Sequence, residues 1–419
     1  MALQDASEAL KVKLLVLKVA SRCNLNCSYC YVYNVGDTTW KQQPKVMPPH
    51  VMKSLMQRVR NHAMRHKLRA FAFVFHGGEP LLCGEQFFID FVAEARRVLE
   101  PEVTPIFTLQ TNGTLITDEW CKLFSELNIG IGISLDGPPE INDLTRVDHA
   151  GKGSYAAVRR GIEIVKNSSH STGALALLTV INPDTDPVAI YEHFKSIGVA
   201  AVDFLLPEAT HDRPYAISTK TETPYADWLI QIFDRWFYEK PVPMKIRLFN
   251  DIIGQILGKK SATDSLGTTR NEVLVVEADG SIEPIGSLKV CGDGFTKLNS
   301  NVLKHDFDDA LSTDLARSYN LSGETLCATC ARCPIHEVCG GGYLPHRFSQ
   351  KNGFDNPSVY CKDLMKLITH IQNKVLEQMP ASARTRLGLT PLTYDNAREL
   401  LMAITQQMSV PVAQPPIAG

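Results

Sequence analysis

Six short apolar runs recur between residues 13 and 210, and between them lie longer segments, several with apolar positions at helical spacing. The runs are KLLVLKVA (13–20), FAFVFHGG (71–78), PIFTLQTNG (105–113), IGIGISLDG (129–137), ALALLTVIN (174–182) and VDFLLPEAT (202–210). Segments such as VMKSLMQRVRNHAMRH (51–66) and DEWCKLFSEL (118–127) are amphipathic. Near-continuous apolar strands alternating with helices predict a parallel sheet covered by helices. Six such units predict an α/β fold, a partial (β/α)6 barrel one or two units short of closure. Downstream, YADWLIQIFDRWFYEK reads as a packed amphipathic helix, and VLVVEADGSIEP as a hairpin turning at Asp279-Gly280. DLMKLITHIQNKVLEQM reads as a closing helix, and the tail after about residue 405, ending VPVAQPPIAG, is expected to be flexible. This divides the chain into a barrel over 11–240, a cysteine-rich unit over 241–380, and a C-terminal helix and tail over 381–419.

Several runs end in polar and glycine residues: His76-Gly77-Gly78-Glu79-Pro80, Gln110-Thr111-Asn112-Gly113, Ser134-Leu135-Asp136-Gly137 and Asn182-Pro183. Any one of these clusters serves as an ordinary βα turn. Together they occupy the strand ends where parallel barrels place their chemistry. A hydrophobic content of 44% permits a large core, and a formal charge of −2 gives no global bias toward nucleic acid or an anionic membrane. No apolar window reaches the roughly 18 residues of a membrane span, and MALQDASEAL lacks the layout of a signal peptide. The expected location is the cytoplasm, where thiols stay reduced and clustered cysteines read first as metal ligands.

The eleven cysteines fall into groups. Cys23, Cys27 and Cys30 form a C-x-x-x-C-x-x-C run directly after the first strand. Three thiolates within one loop can hold three irons of a [4Fe–4S] cubane and leave the fourth iron open. Structural zinc, which needs four ligands, is the competing reading, with His76 a possible fourth. The second group is Cys330, Cys333, Cys339 and Cys361. Four thiolates suit a fully ligated cluster or a zinc ion. Cys83 and Cys121 have no partner at ligand spacing and read as small buried apolar residues.

The first motif, with Tyr29 just before the third cysteine, resembles the signature of the radical S-adenosylmethionine (SAM) superfamily. The resemblance implies that the open iron binds SAM, whose reductive cleavage yields a 5′-deoxyadenosyl radical that abstracts hydrogen from substrate. By the same resemblance Tyr29 lies near the adenine, and Gly77, Gly78, Glu79 and Pro80 meet the methionyl amine, with Glu79 among its acceptors. Thr111, Asn112, Ser134 and Asp136 fall near the carboxylate and ribose, and Arg146 near SAM. The Cys330–Cys361 group resembles the SPASM extension of peptide- and sulfatase-maturing members, implying an auxiliary [4Fe–4S] cluster. The chain departs from the full SPASM pattern: Tyr343 and Ile285 stand where that pattern has cysteines. Cys291 and Cys327 are the remaining candidates for a third, partly ligated cluster, and otherwise are packed thiols.

Along its length, from Lys11 to about Gln378, the chain most resembles maturases of ribosomally made peptides that form cyclophane crosslinks between an aromatic ring carbon and a β-carbon. That resemblance implies a precursor peptide as substrate and an electron donor such as flavodoxin or ferredoxin. It assigns no catalytic acid or base. The roughly ten residues before the first run are too few for a folded leader-binding domain. Leader recognition is therefore expected of the barrel, the C-terminal region or a separate protein. An anaerobic sulfatase maturase, forming formylglycine, and a non-catalytic zinc scaffold are the alternatives.

Overall fold

The computed structural model describes residues 9–170, 175–218, 220–261, 263–388 and 390–408. Within these the six apolar runs form six consecutive parallel strands: β1 (Leu14–Ala20), β2 (Ala70–Gly77), β3 (Thr104–Thr111), β4 (Ile129–Ser134), β5 (Ala176–Val180) and β6 (Ala201–Leu205). The connecting helices are α1 (Pro49–Arg65), α2 (Glu85–Leu99), α3 (Asp118–Leu127), α4 (Tyr155–Asn167) and α5 (Pro187–Ile197). Their ends follow local chemistry. Asp186 caps α5 by accepting from Val188 N and Ala189 N, and Gly198 ends it with φ +73°.

Phenylalanines drive the first half together. Phe71, Phe73 and Phe75 alternate along the face of β2 that the helix α2 covers, and with Phe88, Phe91 and Phe107 they form one cluster, all at most 3% exposed. Each such side chain contributes roughly 1.5–3 kcal/mol of burial. The strand ends that carry the site therefore rest on a rigid floor.

The sheet runs further than six strands. After α6 (Pro224–Tyr238), β7 (Lys245–Ile246) adds to β6, and α7 (Arg247–Ile256) follows. The expected hairpin forms from β8 (Val273–Val276) and β9 (Ser281–Glu283), with β10 (Ser300–Asn301) beyond it. Its strand β8 lies parallel to β1, Leu14 opposite Val273. The hairpin assigned to the cysteine-rich unit thus continues the barrel sheet, giving the order β10-β9-β8-β1-β2-β3-β4-β5-β6-β7. An uncovered β1 would offer an apolar edge, and Val273–Val276 closes it.

The closing helix is α8 (Cys361–Gln378), which packs along α6 and α7. A last helix, α9 (Tyr394–Met408), covers the first residues of the expected flexible tail; the rest of that tail lies outside the described residues. No helix among the described residues is long and apolar enough to cross a membrane.

Candidate functional site

The loop after β1 is held in place by backbone pairing. Asn26 N donates to Val147 O at 2.7 Å and Ser28 N to Thr145 O at 3.0 Å, while Cys30 N closes a turn onto Cys27 O. The three thiols are half-buried. Burial pushes the Cys23 thiol up to about 12, and it raises Cys27 and Cys30 as well.

Spacing separates an iron–sulfur cluster from a single ion. Tetrahedral zinc at about 2.3 Å from each sulfur brings those sulfurs to within about 4 Å of one another. Among the described residues, the one set of three ligand atoms all within 4.8 Å of each other is His62, His66 and Asp308. Neither cysteine group is drawn that close. The histidine set is itself a structural strut. His62 Nε2 accepts from Val12 N at 2.9 Å, and Nδ1 lies 3.2 Å from Asp308 Oδ1.

Gly77 and Gly78 let the end of β2 lie directly against the cysteine loop. Gly78 N donates to Ala20 O and Glu79 N to Arg22 O, at 2.7 and 2.9 Å. A Cβ on Gly77 would stand 2.2 Å from Ala20 O, and one on Gly78 2.2 Å from Arg22 O. Pro80, buried, starts a short 3-10 turn.

Glu79 is the acidic member of this segment. It is 0% exposed, and its carboxylate accepts from Thr111 Oγ1 (2.7 Å), Asn112 N (2.8 Å) and Leu81 N (3.1 Å). The carboxylate is engaged with the chain's own donors and locks β2 to β3. Half-buried Gly78 is the member of the segment with surface left for a ligand.

The remaining candidates divide between the surface of the site and its support. Asn112 Nδ2 donates to Asn24 Oδ1 at 2.8 Å and approaches Cys23 Sγ at 3.8 Å, tying β3 to the cysteine loop. Tyr29 donates to Asp136 Oδ2 and accepts from Arg146, both at 2.7 Å. Asp136 also accepts from Val180 N. Arg146 is buried, and its Nε has no partner among the described residues. Burial pushes the Tyr29 phenol and the Asp136 carboxyl up. Ser134, half-buried, accepts from Gln110 Nε2 at 2.9 Å. Two groups here went unread in the sequence: Asn24, and His149, whose ring reaches Cys23 O at 2.9 Å. Neither carries a motif of its own.

Cys330, Cys333, Cys339 and Cys361 line one small cleft, edged by Leu401 of α9. Cys327 is buried, and its neighbour Cys330 lowers its thiol while that of Cys330 is raised. Cys291 feels Glu208 and Asp212 instead, and burial pushes its thiol up. Cys121 is buried as expected, and Cys83 is half-buried with its thiol toward Val19 O.

Residues 17–192 match the family described as the Radical SAM superfamily. A cysteine-type anaerobic sulfatase-maturating enzyme of Clostridium perfringens is 29% identical over 84% of this chain and 94% of that protein. A serine-type anaerobic sulfatase-maturating enzyme of Bacteroides thetaiotaomicron is 25% identical over 85% of this chain and 89% of its own. A solved structure described as native anSMEcpe with bound AdoMet and Cp18Cys peptide superposes with a TM-score of 0.74 at 26% identity, covering 88% of this chain and 98% of that one.

Proposed function

We propose, from the premise that residues 17–192 form a radical SAM domain, that this chain is an oxidoreductase that modifies a side chain of a peptide substrate. The observation that carries the reading is two cysteine groups on one chain, combined with likeness over 84% of its length to a sulfatase-maturating enzyme. In this reading Cys23, Cys27 and Cys30 hold the open cubane, and Cys330, Cys333, Cys339 and Cys361 the auxiliary one. SAM bound at the open cubane supplies a radical strong enough to remove an unactivated hydrogen, here from a β-carbon. The chain's own contribution is positional. Gly78, Tyr29 and Ser134 border the cofactor, while Glu79, Asp136 and Arg146 hold those residues in place. The reducing electron comes from a donor such as flavodoxin or ferredoxin.

Two products follow from the same abstraction. A crosslink between a β-carbon and an aromatic ring is supported by Ile285 and Tyr343, which stand where the SPASM pattern has cysteines and line an open cavity. Formylglycine is supported by the likeness to the sulfatase-maturating enzymes. Incubating the reconstituted enzyme with SAM, reductant and candidate peptides, followed by tandem mass spectrometry, separates them. A crosslink appears as loss of two hydrogens with no fragmentation between the joined residues and no reaction with a hydrazide. Formylglycine reacts with the hydrazide. Absence of any modified peptide, from precursors or sulfatase-derived sequences alike, would contradict the peptide-modifying reading.

A further inference from the structure

Arg347 ends the short 3-10 turn Leu344–Arg347, which follows the glycine run 340–342. The residue is 2% exposed. Nη1 donates to Ser322 O at 2.8 Å and Nη2 to Thr325 O at 2.5 Å, two carbonyls on the loop that leads to Cys327 and Cys330. Nε is a buried donor with no hydrogen-bond partner among the described residues. No carboxylate among those residues lies within ion-pair distance of the guanidinium.

A charge taken out of water is costly unless an opposite charge and its hydrogen bonds replace that water. Lys289 shows the ordinary arrangement, buried between Glu277 and Glu283 at 3.3 and 3.2 Å. The two neutral carbonyls at Arg347 take up N–H groups but leave the charge itself unmatched. A buried cation and a buried free donor on one side chain both ask for an explanation.

The second cysteine group lies beside it. Cys330, Cys333, Cys339 and Cys361 line one cleft together with Gly341, and a Cβ at Gly341 would stand 3.5 Å from Arg347 Nη1. The charges Arg347 feels most are those of Cys330, Cys327 and Cys339, ahead of Asp355. Protonated thiols would not offset a cation. Ligated cysteines are thiolates, and four of them outweigh the positive charge of a cubane core. Reduction adds a further negative charge, which a cation alongside favours.

We propose that Arg347 is the counter-charge of an iron–sulfur cluster held by Cys330, Cys333, Cys339 and Cys361, and that it raises the reduction potential of that cluster. The proposal rests on the auxiliary-cluster reading and names the residue that tunes the cluster. Each partner supplies what the other lacks, since the guanidinium gains an anion and the cluster a cation shielded from water. A cluster at higher potential is the better electron acceptor and the poorer donor.

The test reads the cluster itself, separately from turnover. The parent is the full chain carrying Cys27→Ala, reconstituted with iron and sulfide, so that the C-terminal group gives the EPR signal followed in a redox titration. Arg347→Gln in this parent should lower the midpoint. At the potential where the parent is half reduced, the ratio of reduced to oxidised cluster should fall about tenfold, which is about 59 mV for one electron. Arg347→Lys keeps the charge, gives up the fork to Ser322 and Thr325, and should return the ratio to within about threefold of the parent. Should Arg347→Gln fail to fold or to take up iron, iron uptake with a near-parental midpoint in Arg347→Lys upholds the counter-charge. Failure of both variants, a lysine variant no better than the glutamine one, or an unmoved midpoint in iron-loaded Arg347→Gln would overturn it. Zinc in place of iron at the C-terminal group of the parent would defeat the cluster reading and the proposal with it. A cluster indifferent to Arg347 would defeat the proposal alone.

Discussion

A carboxylate with no exposed surface is tolerated when its oxygens are already engaged, and Glu79 meets that condition with three donors. Replacing it by Gln puts an NH2 where one oxygen accepted, facing either the Asn112 N–H or the Thr111 and Leu81 donors. We expect Glu79→Gln to lose roughly 1–3 kcal/mol of unfolding free energy by denaturant titration. SAM affinity should change only as far as the β2–β3 junction loosens. Unchanged stability with SAM binding weakened tenfold or more would return Glu79 to direct contact with the cofactor. The motif GGEP was visible in the sequence, but the partners of its carboxylate were not. Two of the three come from Thr111 and Asn112, more than thirty residues away, and strand register brings them there.

At the scale of elements, the close approach of Gly78 to the cysteine loop carries a sharp expectation. Gly78→Ala forces a Cβ against the Arg22 backbone, a contact no flexible side chain can relieve. The N-terminal cluster should fail to assemble while the C-terminal one survives, halving iron content as read by colorimetric assay. Full iron in Gly78→Ala would contradict this packing. A second expectation concerns the hairpin, where Lys289 lies buried between Glu277 and Glu283 at 3.3 and 3.2 Å. Burial, with Glu283 beside it, lifts Glu277 from 4.5 to about 7. A raised folded-state value means that the group's contribution is complete below 4.5 and is lost as pH climbs through about 7. Glu277→Gln should therefore gain on wild type by roughly 1–3 kcal/mol across that interval, measured as unfolding free energy against pH. A difference that stays flat with pH would contradict it. The apolar runs foretold β1 to β6 because long, near-continuous strands carry their own signal. The pairing of β8 with β1 was hidden, since four apolar residues do not say which distant edge they will cover.

For the whole molecule, the cysteine inventory sets how many clusters to expect. Both ligand groups were legible from spacing, whereas the burial of Arg347 against the carbonyls of Ser322 and Thr325 was not, because the path of the loop between them decides it. Counting thiolates, three at Cys23, Cys27 and Cys30 and four at Cys330, Cys333, Cys339 and Cys361, we expect two cubanes, about eight irons per chain. Changing Cys291 and Cys327 together to Ser should leave that number nearly intact; a loss of about four irons would establish a third cluster. The most direct test of the SAM-cleaving centre is the yield of 5′-deoxyadenosine from anaerobically reconstituted protein given SAM and a strong reductant. Wild type should produce it, and Cys27→Ala should produce none while keeping the iron of the C-terminal group. Undiminished 5′-deoxyadenosine from Cys27→Ala, or none from fully iron-loaded wild type, would contradict the assignment of Cys23, Cys27 and Cys30 as the reactive site.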